Sequence, residues 1–266
     1  MTASAVSAHT LASGRPDAPF VVFAHGLEDA WTSWLPLAAE LDPGWRLVAL
    51  DLPWRPGNDY RWRRRPAGQW LGAGLDLLDA VPDAVVAHSF GANAALELRC
   101  ALDPRCGRAA MLICPFYRLP GRPVTWSMFD RSRRTFVDQV REGVRARMGG
   151  RAAELEPEIV DAMMNMALER VGPAGFLTVF EQFAASADLP LGNVEPPTLV
   201  LAGGADPTLS RKAAAALAGA MPGAELRIND DYDHFCHVRR ARDVAAQVAD
   251  LVATARATSR TVGQLR

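Results

Sequence analysis

The stretch VVAHSFGANAAL, residues 85–96, runs from a short apolar segment through Ala87-His88-Ser89-Phe90-Gly91 into alanines and leucines suited to a helix. A strand that stops on a serine and turns at once into a helix exposes the hydroxyl, and it crowds the positions two before and two after. Both must therefore be small, as Ala87 and Gly91 are. Serine is a poor nucleophile at neutral pH, so this turn carries chemistry only if a base and an orienting acid follow it in space.

The flanking chain supplies the strands that such a turn needs. FVVFAHG (20–26), RLVALDLP (46–53), DAVVAH (83–88), AAMLIC (109–114), PTLVLAGG (197–204) and AELRIN (224–229) are short apolar runs closed by turn residues, as buried parallel strands are. Helical spacing lies between them in TSWLPLAAEL, in residues 67–81 and 90–102, in SRKAAAALAGAM and from about 238 to 256. Residues 1–19 leave room for one or two leading strands. This alternation predicts an α/β fold, a doubly wound and mainly parallel sheet with helices on both faces.

Residues 115–192 break the alternation, being rich in helix formers and carrying no strand pattern. They read as a helical cap inserted into a core made of 1–114 and 193–266. Among the cap's apolar residues, Met128, Phe129, Met163, Met164 and Phe180 are the expected pocket lining, methionine being adaptable to an apolar ligand. The bland alternative is that they form the cap's own core.

Two candidates complete the chemistry. Asp206, in LAGGADPTL, follows the end of one strand run, and His234, in NDDYDHFCH, follows the next. Open α/β sheets place functional groups on such loops. The roles expected are Ser89 as nucleophile, His234 as base then acid, and Asp206 as the carboxylate that holds the imidazole tautomer. Asp230, Asp231 and Asp233 compete for the acid role by proximity in sequence. The oxyanion donors expected are the backbone N–H groups of Phe90, after the nucleophile, and Leu27, in the AHGLEDAW loop.

Taken together, VVFAHGLEDAWTSWLPLAAEL, VALDLPW, VVAHSFGANAAL, LAGGADP and DHF resemble the α/β-hydrolase fold superfamily, in its serine-nucleophile branch with a helical cap. The resemblance covers about residues 18–256 and implies an eight-stranded type of core, a Ser/Asp/His triad and a lid. Ala87 stands where relatives have glycine, and Trp54-Arg55-Pro56-Gly57 replaces a glycine-led turn.

Composition narrows the classes further. A net charge of −1 over 266 residues gives no general attraction to nucleic acid or anionic membrane. No run reaches membrane-spanning length and the N-terminus does not read as a signal peptide. The four cysteines (Cys100, Cys106, Cys114, Cys236) are scattered, which suits reduced thiols and a cytoplasmic location. No metal spacing is evident around His234, Cys236 and His237, and no phosphate loop suggests a nucleotide cofactor. His25 and His88 read as structural. The Arg/Trp-rich segment 54–70 is a solvated face or a docking patch for an acidic carrier protein or phosphopantetheine arm.

The expectation is a cofactor-independent serine hydrolase acting on an ester or thioester of a small, largely apolar molecule, free or carrier-bound. Acyl transfer, elimination or cyclisation in a polyketide-type pathway is the alternative within the same machinery. A non-catalytic ligand-binding protein is the alternative of another class.

Overall fold

The computed structural model describes residues 6–194 and 197–264. Seven strands form one sheet: β1 (Ser7–Ala12), β2 (Phe20–Ala24), β3 (Arg46–Asp51), β4 (Ala84–His88), β5 (Ala109–Ile113), β6 (Thr198–Gly203) and β7 (Ala224–Asn229). Their order is β1-β3-β2-β4-β5-β6-β7, with β1 antiparallel to β3 and every other pairing parallel. The doubly wound sheet is the one expected, with seven strands among the described residues rather than eight.

The central strands are apolar throughout because both faces are covered. Val22, Ala24, Val85, Ala87, Ala110 and Leu112 pack on one side, against residues of α2 (Ala67–Leu75), α3 (Phe90–Cys100) and α6 (Arg211–Gly219). Their neighbours Val21, Phe23, Ala84, Val86, Ala109 and Met111 point to the other side. There they meet α1 (Leu35–Ala39) and α8 (Ala241–Gln264), through Leu37, Val244, Val248 and Val252. This strict alternation is the period of two of a pleated strand.

Between β5 and β6 the described residues hold no strand and two long helices, α4 (Trp126–Met148) and α5 (Pro157–Ala185). Thr125 caps α4 by accepting the Met128 N–H at 3.2 Å. Gly172, at φ 54°, and Pro173 break α5 into two pieces, since proline offers no N–H to the preceding turn. Helix α2 stops at Leu75, short of the expected 81, and Leu77 and Val81 lie exposed. The apolar run there had extended the helical pattern onto the surface. The closing helix begins as a separate turn, α7 (Cys236–Arg239).

The connections leave β2 and β4 in opposite directions along the sheet. A crevice therefore opens beyond the carboxyl ends of these adjacent strands, where loops to opposite faces part.

Candidate active site

Ser89 stands at the end of β4, at φ 51° and ψ −119°, a backbone conformation that costs a non-glycine residue about 1–3 kcal/mol. The surroundings hold it there. Its N–H donates to the Ile113 carbonyl at 2.9 Å, and its own carbonyl accepts from Asn93 at 3.1 Å. Asn93 is locked in turn to Phe116 by two hydrogen bonds of 2.8 and 2.9 Å. A Cβ at Gly91 would overlap the carbonyl oxygens of Ala24 and His25, so the small residue that the sequence required is imposed by the β2 backbone.

Three side chains on three loops meet in a row. His234 Nε2 lies 2.9 Å from Ser89 Oγ, and His234 Nδ1 lies 2.9 Å from Asp206 Oδ2. Asp206 Oδ1 accepts from the Thr208 hydroxyl at 2.6 Å and from the Thr208 N–H at 2.9 Å. The sequence did not single out Thr208; nothing in DPT marks a hydroxyl that will face a carboxylate. Burial works against the charge of Asp206, but the neighbouring His234, its hydrogen bond and those from Thr208 outweigh it. They hold the carboxyl below its ordinary range. Asp233, the nearest sequence competitor, accepts from the Phe235 N–H and pairs with Arg239, while Asp230 pairs with Arg211.

The expected oxyanion donors sit on either side of the β2/β4 crevice. Phe90 opens α3, and among the described residues neither its N–H nor that of Leu27 meets a protein acceptor. The peptide that carries the Leu27 N–H is held by its oxygen: the Gly26 carbonyl accepts from His25 Nδ1 at 2.8 Å and from Asp29 N–H at 3.3 Å. His25 Nε2 accepts the Leu52 N–H at 2.9 Å, which sets the ring as the neutral Nδ1–H tautomer. Burial lowers its pKa in the same sense.

A cavity of about 320 Å³ opens above Ser89 and His234, between the sheet edge and the helices α4 and α5. Of the five lining residues named from the sequence, Met128 and Phe180 lie on its wall, together with Phe136, Val140, Phe176 and Phe183. The other three expected lining residues do not. Phe129 stands behind the wall, packed edge-on against Phe176 and Phe180 with centroids 5.0 Å away. Met164 is buried with Val144 and Ala167 between the two helices, and Met163 is exposed. The adaptable wall is built from phenylalanines more than methionines.

The Arg/Trp segment divides by side chain. Trp54 and Trp62 are buried and meet Phe90 edge-on at 5.2 and 5.6 Å, so they buttress the turn at Ser89. The arginines lie outward, Arg63 on Glu181 of α5 at 2.9 Å and Arg65 over the Trp70 ring at 4.7 Å.

Behind His234, the buried residues Asp29, His88 and His237 bring potential ligand atoms within 4.8 Å of one another. Sequence spacing gave no hint of this cluster. The His88 and His237 rings are 4.1 Å apart at 36°. Two imidazoles sharing an ion at a tetrahedral angle would keep their centroids about 5 Å apart, so the rings as placed do not fit a metal. They fit packing instead: His237 is set between Trp34 and His88, and His88 Nε2 donates to the His234 carbonyl at 2.8 Å. Burial keeps both rings neutral, with the pKa of His237 at about 4 and that of His88 well below the usual value. Cys114 and Cys236 lie against each other beside Asp206. The contact with Cys236 and burial push the Cys114 thiol well up, so it stays protonated.

A mainly parallel sheet wound in this order, with a sharp strand-to-helix turn at its centre, is the α/β-hydrolase fold, and residues 21–247 match the alpha/beta hydrolase family. The chain belongs to that family. It is 28% identical over 243 residues to the poly(3-hydroxyalkanoate) depolymerase of Ectopseudomonas oleovorans, covering 87% of this chain and 83% of that protein. Its structure is similar to that of the enol-lactonase of Burkholderia xenovorans, with a TM-score of 0.63, 19% identity and coverage of 93% and 96%. It is also similar to a haloalkane dehalogenase of Bradyrhizobium elkani, with a TM-score of 0.62, 18% identity and coverage of 95% and 99%. At those identities the solved structures speak for the fold. Among the described residues no helix is long and apolar enough to cross a membrane.

Proposed function

We propose that this hydrolase cleaves an ester of a small, largely apolar acyl compound through an acyl-enzyme on Ser89. The observation that carries the reading is the unbroken row Ser89 Oγ, His234 Nε2, His234 Nδ1 and Asp206 Oδ2, with 2.9 Å at each of its two contacts between side chains, under a phenylalanine-walled cavity. His234 takes the Ser89 proton as Oγ attacks the carbonyl carbon, and the negative charge gathers on the carbonyl oxygen. The Leu27 and Phe90 N–H groups receive that charge, and Asp206 stabilises the imidazolium. His234 then gives the proton to the leaving alcohol. A water attacks the acyl-enzyme by the same route in reverse roles. The cap formed by α4 and α5 screens these steps from bulk water. An oxygen ester is favoured over a thioester because the curated relative is named for a poly(3-hydroxyalkanoate) substrate, a polyester.

The test is intact mass after incubation with a fluorophosphonate, followed by turnover of short-chain aryl esters. One adduct on the wild type, absent from Ser89→Ala, together with ester turnover that depends on Ser89, is expected. An unlabelled wild type that also leaves small esters intact would overturn the reading.

A further inference from the structure

We infer that Glu28 is a positioning residue through which the seating of α4 and α5 orients the oxyanion peptide. This rests on the serine-hydrolase reading above.

Gly26 to Asp29 form a turn closed by the Asp29 N–H on the Gly26 carbonyl at 3.3 Å, and that carbonyl belongs to the peptide whose other end is the Leu27 N–H. Glu28 occupies the third position of the turn at φ 55°. A left-handed residue there is ordinarily glycine or asparagine, so a glutamate must be held in place by what surrounds it.

It is held by every polar group it has. Its N–H donates to the Trp54 carbonyl at 2.8 Å, and its carbonyl accepts from Arg147 Nη1 at 3.0 Å. Its carboxylate accepts from the Tyr60 hydroxyl at 2.9 Å on Oε1, and from Arg170 Nε and Nη2 at 3.2 and 3.0 Å on Oε2. Trp54 and Tyr60 come from the core, Arg147 from α4 and Arg170 from α5. Both helices therefore reach the residue after Leu27, one through the backbone and one through the side chain.

The exposures decide what happens when the helices lift. The Glu28 side chain is 6% exposed while that of Arg170 is 41% exposed. Moving α5 away returns the arginine to water and leaves a buried carboxylate without its cation, an unfavourable state. If α4 lifts as well, the strained turn also loses Arg147 from the Glu28 carbonyl, and two of its holders go together. A substrate that fills the cavity and seats the helices thus also fixes the Leu27 N–H. The donor is stiff when the ester is covered and looser when it is not.

An oxyanion donor acts on charge that develops in the transition state, so its misplacement lowers kcat rather than raising KM. The experiment compares wild type, Glu28→Gln, Arg170→Gln, Arg170→Lys and Arg63→Gln. It measures kcat and KM on a short aryl ester, with kcat per active site counted by end-point fluorophosphonate labelling. That count removes any misfolded fraction. Arg63→Gln breaks a different ion pair between core and α5 and serves as the control.

Glu28→Gln and Arg170→Gln are expected to lose about tenfold or more in kcat per labelled site, less than deletion of a donor, with KM nearly unchanged. Arg170→Lys, which keeps the charge, recovers much of the loss, and Arg63→Gln matches wild type. An unchanged kcat in the two glutamine variants, an equal loss in Arg63→Gln, or a rise in KM alone overturns the inference. A wild type that neither labels nor turns over ester signals instead that the serine-hydrolase reading has failed, and the inference falls with it.

Discussion

The Thr208 hydroxyl donates to Asp206 at 2.6 Å on Oδ1, the carboxylate oxygen that His234 does not use, and its oxygen stands 3.2 Å from His234 Nδ1. The two oxygens of Asp206 are thus divided between Thr208 and His234. Replacing the hydroxyl by a methyl group, Thr208→Val, keeps the backbone N–H bond to Oδ1 and removes the stronger of the two anchors. One charge-assisted hydrogen bond is worth about 1.5–3 kcal/mol, so kcat/KM is expected to fall about tenfold or more. Thr208→Ser should retain most of the activity. Equal activity in all three proteins would show that the anchor is dispensable.

The acid role separates Asp206 from its neighbours in sequence. Asp206→Asn should lower kcat by about four orders of magnitude, because the amide favours the wrong imidazole tautomer. Asp233→Asn touches a carboxylate already engaged with Arg239 and Phe235, and ester turnover should change by less than about tenfold by comparison. The reverse ranking in steady-state kinetics would transfer the role to Asp233.

Gly91 tests the geometry of the turn rather than its chemistry. A Cβ there has no room against the carbonyls of Ala24 and His25, and backbone cannot step aside as a flexible side chain can. Gly91→Ala should therefore cost at least about 1–3 kcal/mol of stability, as overpacking does. Active-site labelling should fall with it. A variant that melts with wild type and labels fully would mean that α3 can shift away from β2.

His237 links stability to pH. Its pKa is held to about 4, chiefly by burial, against about 6.5 in an unfolded chain. Between these values the unfolded chain binds a proton that the folded one does not, so the stabilisation is complete above about pH 6.5 and is lost as pH falls towards 4. At pH 5 the loss from this residue is about 2 kcal/mol, several degrees in Tm for a chain of this size. His237→Phe keeps a ring between Trp34 and His88. Thermal melts from pH 8 to pH 5 should decline less steeply for this variant than for the wild type, and parallel curves would remove His237 from the account.

The strands, the turn at Ser89 and the order Ser89, Asp206, His234 were legible because each is a local property. An apolar run bounded by turn residues buries itself whatever lies further off. A strand that ends on a serine between small residues has one place to put the hydroxyl. Parallel strands also bring their following loops to one edge, so residues far apart in the chain were expected to meet.

What only the tertiary structure decided are choices between partners. The sequence expected Asp206 with Asp233 as a competitor nearer in the chain, and the contact itself comes from the fold: β6 and β7 pair in register and set their loops side by side, which puts Asp206 on His234 while Asp233 turns to Arg239. In α5 apolar residues occur all round, and Gly172-Pro173 resets the helix midway, so periodicity could not tell that Phe180 faces the cavity while Met163 faces solvent and Met164 the neighbouring helix. Thr208, and the hold of two helices on Glu28, left no trace in the pattern. A hydrogen bond is decided by distance and angle between atoms that the chain brings together last, whereas strand and helix are decided by the residues within them.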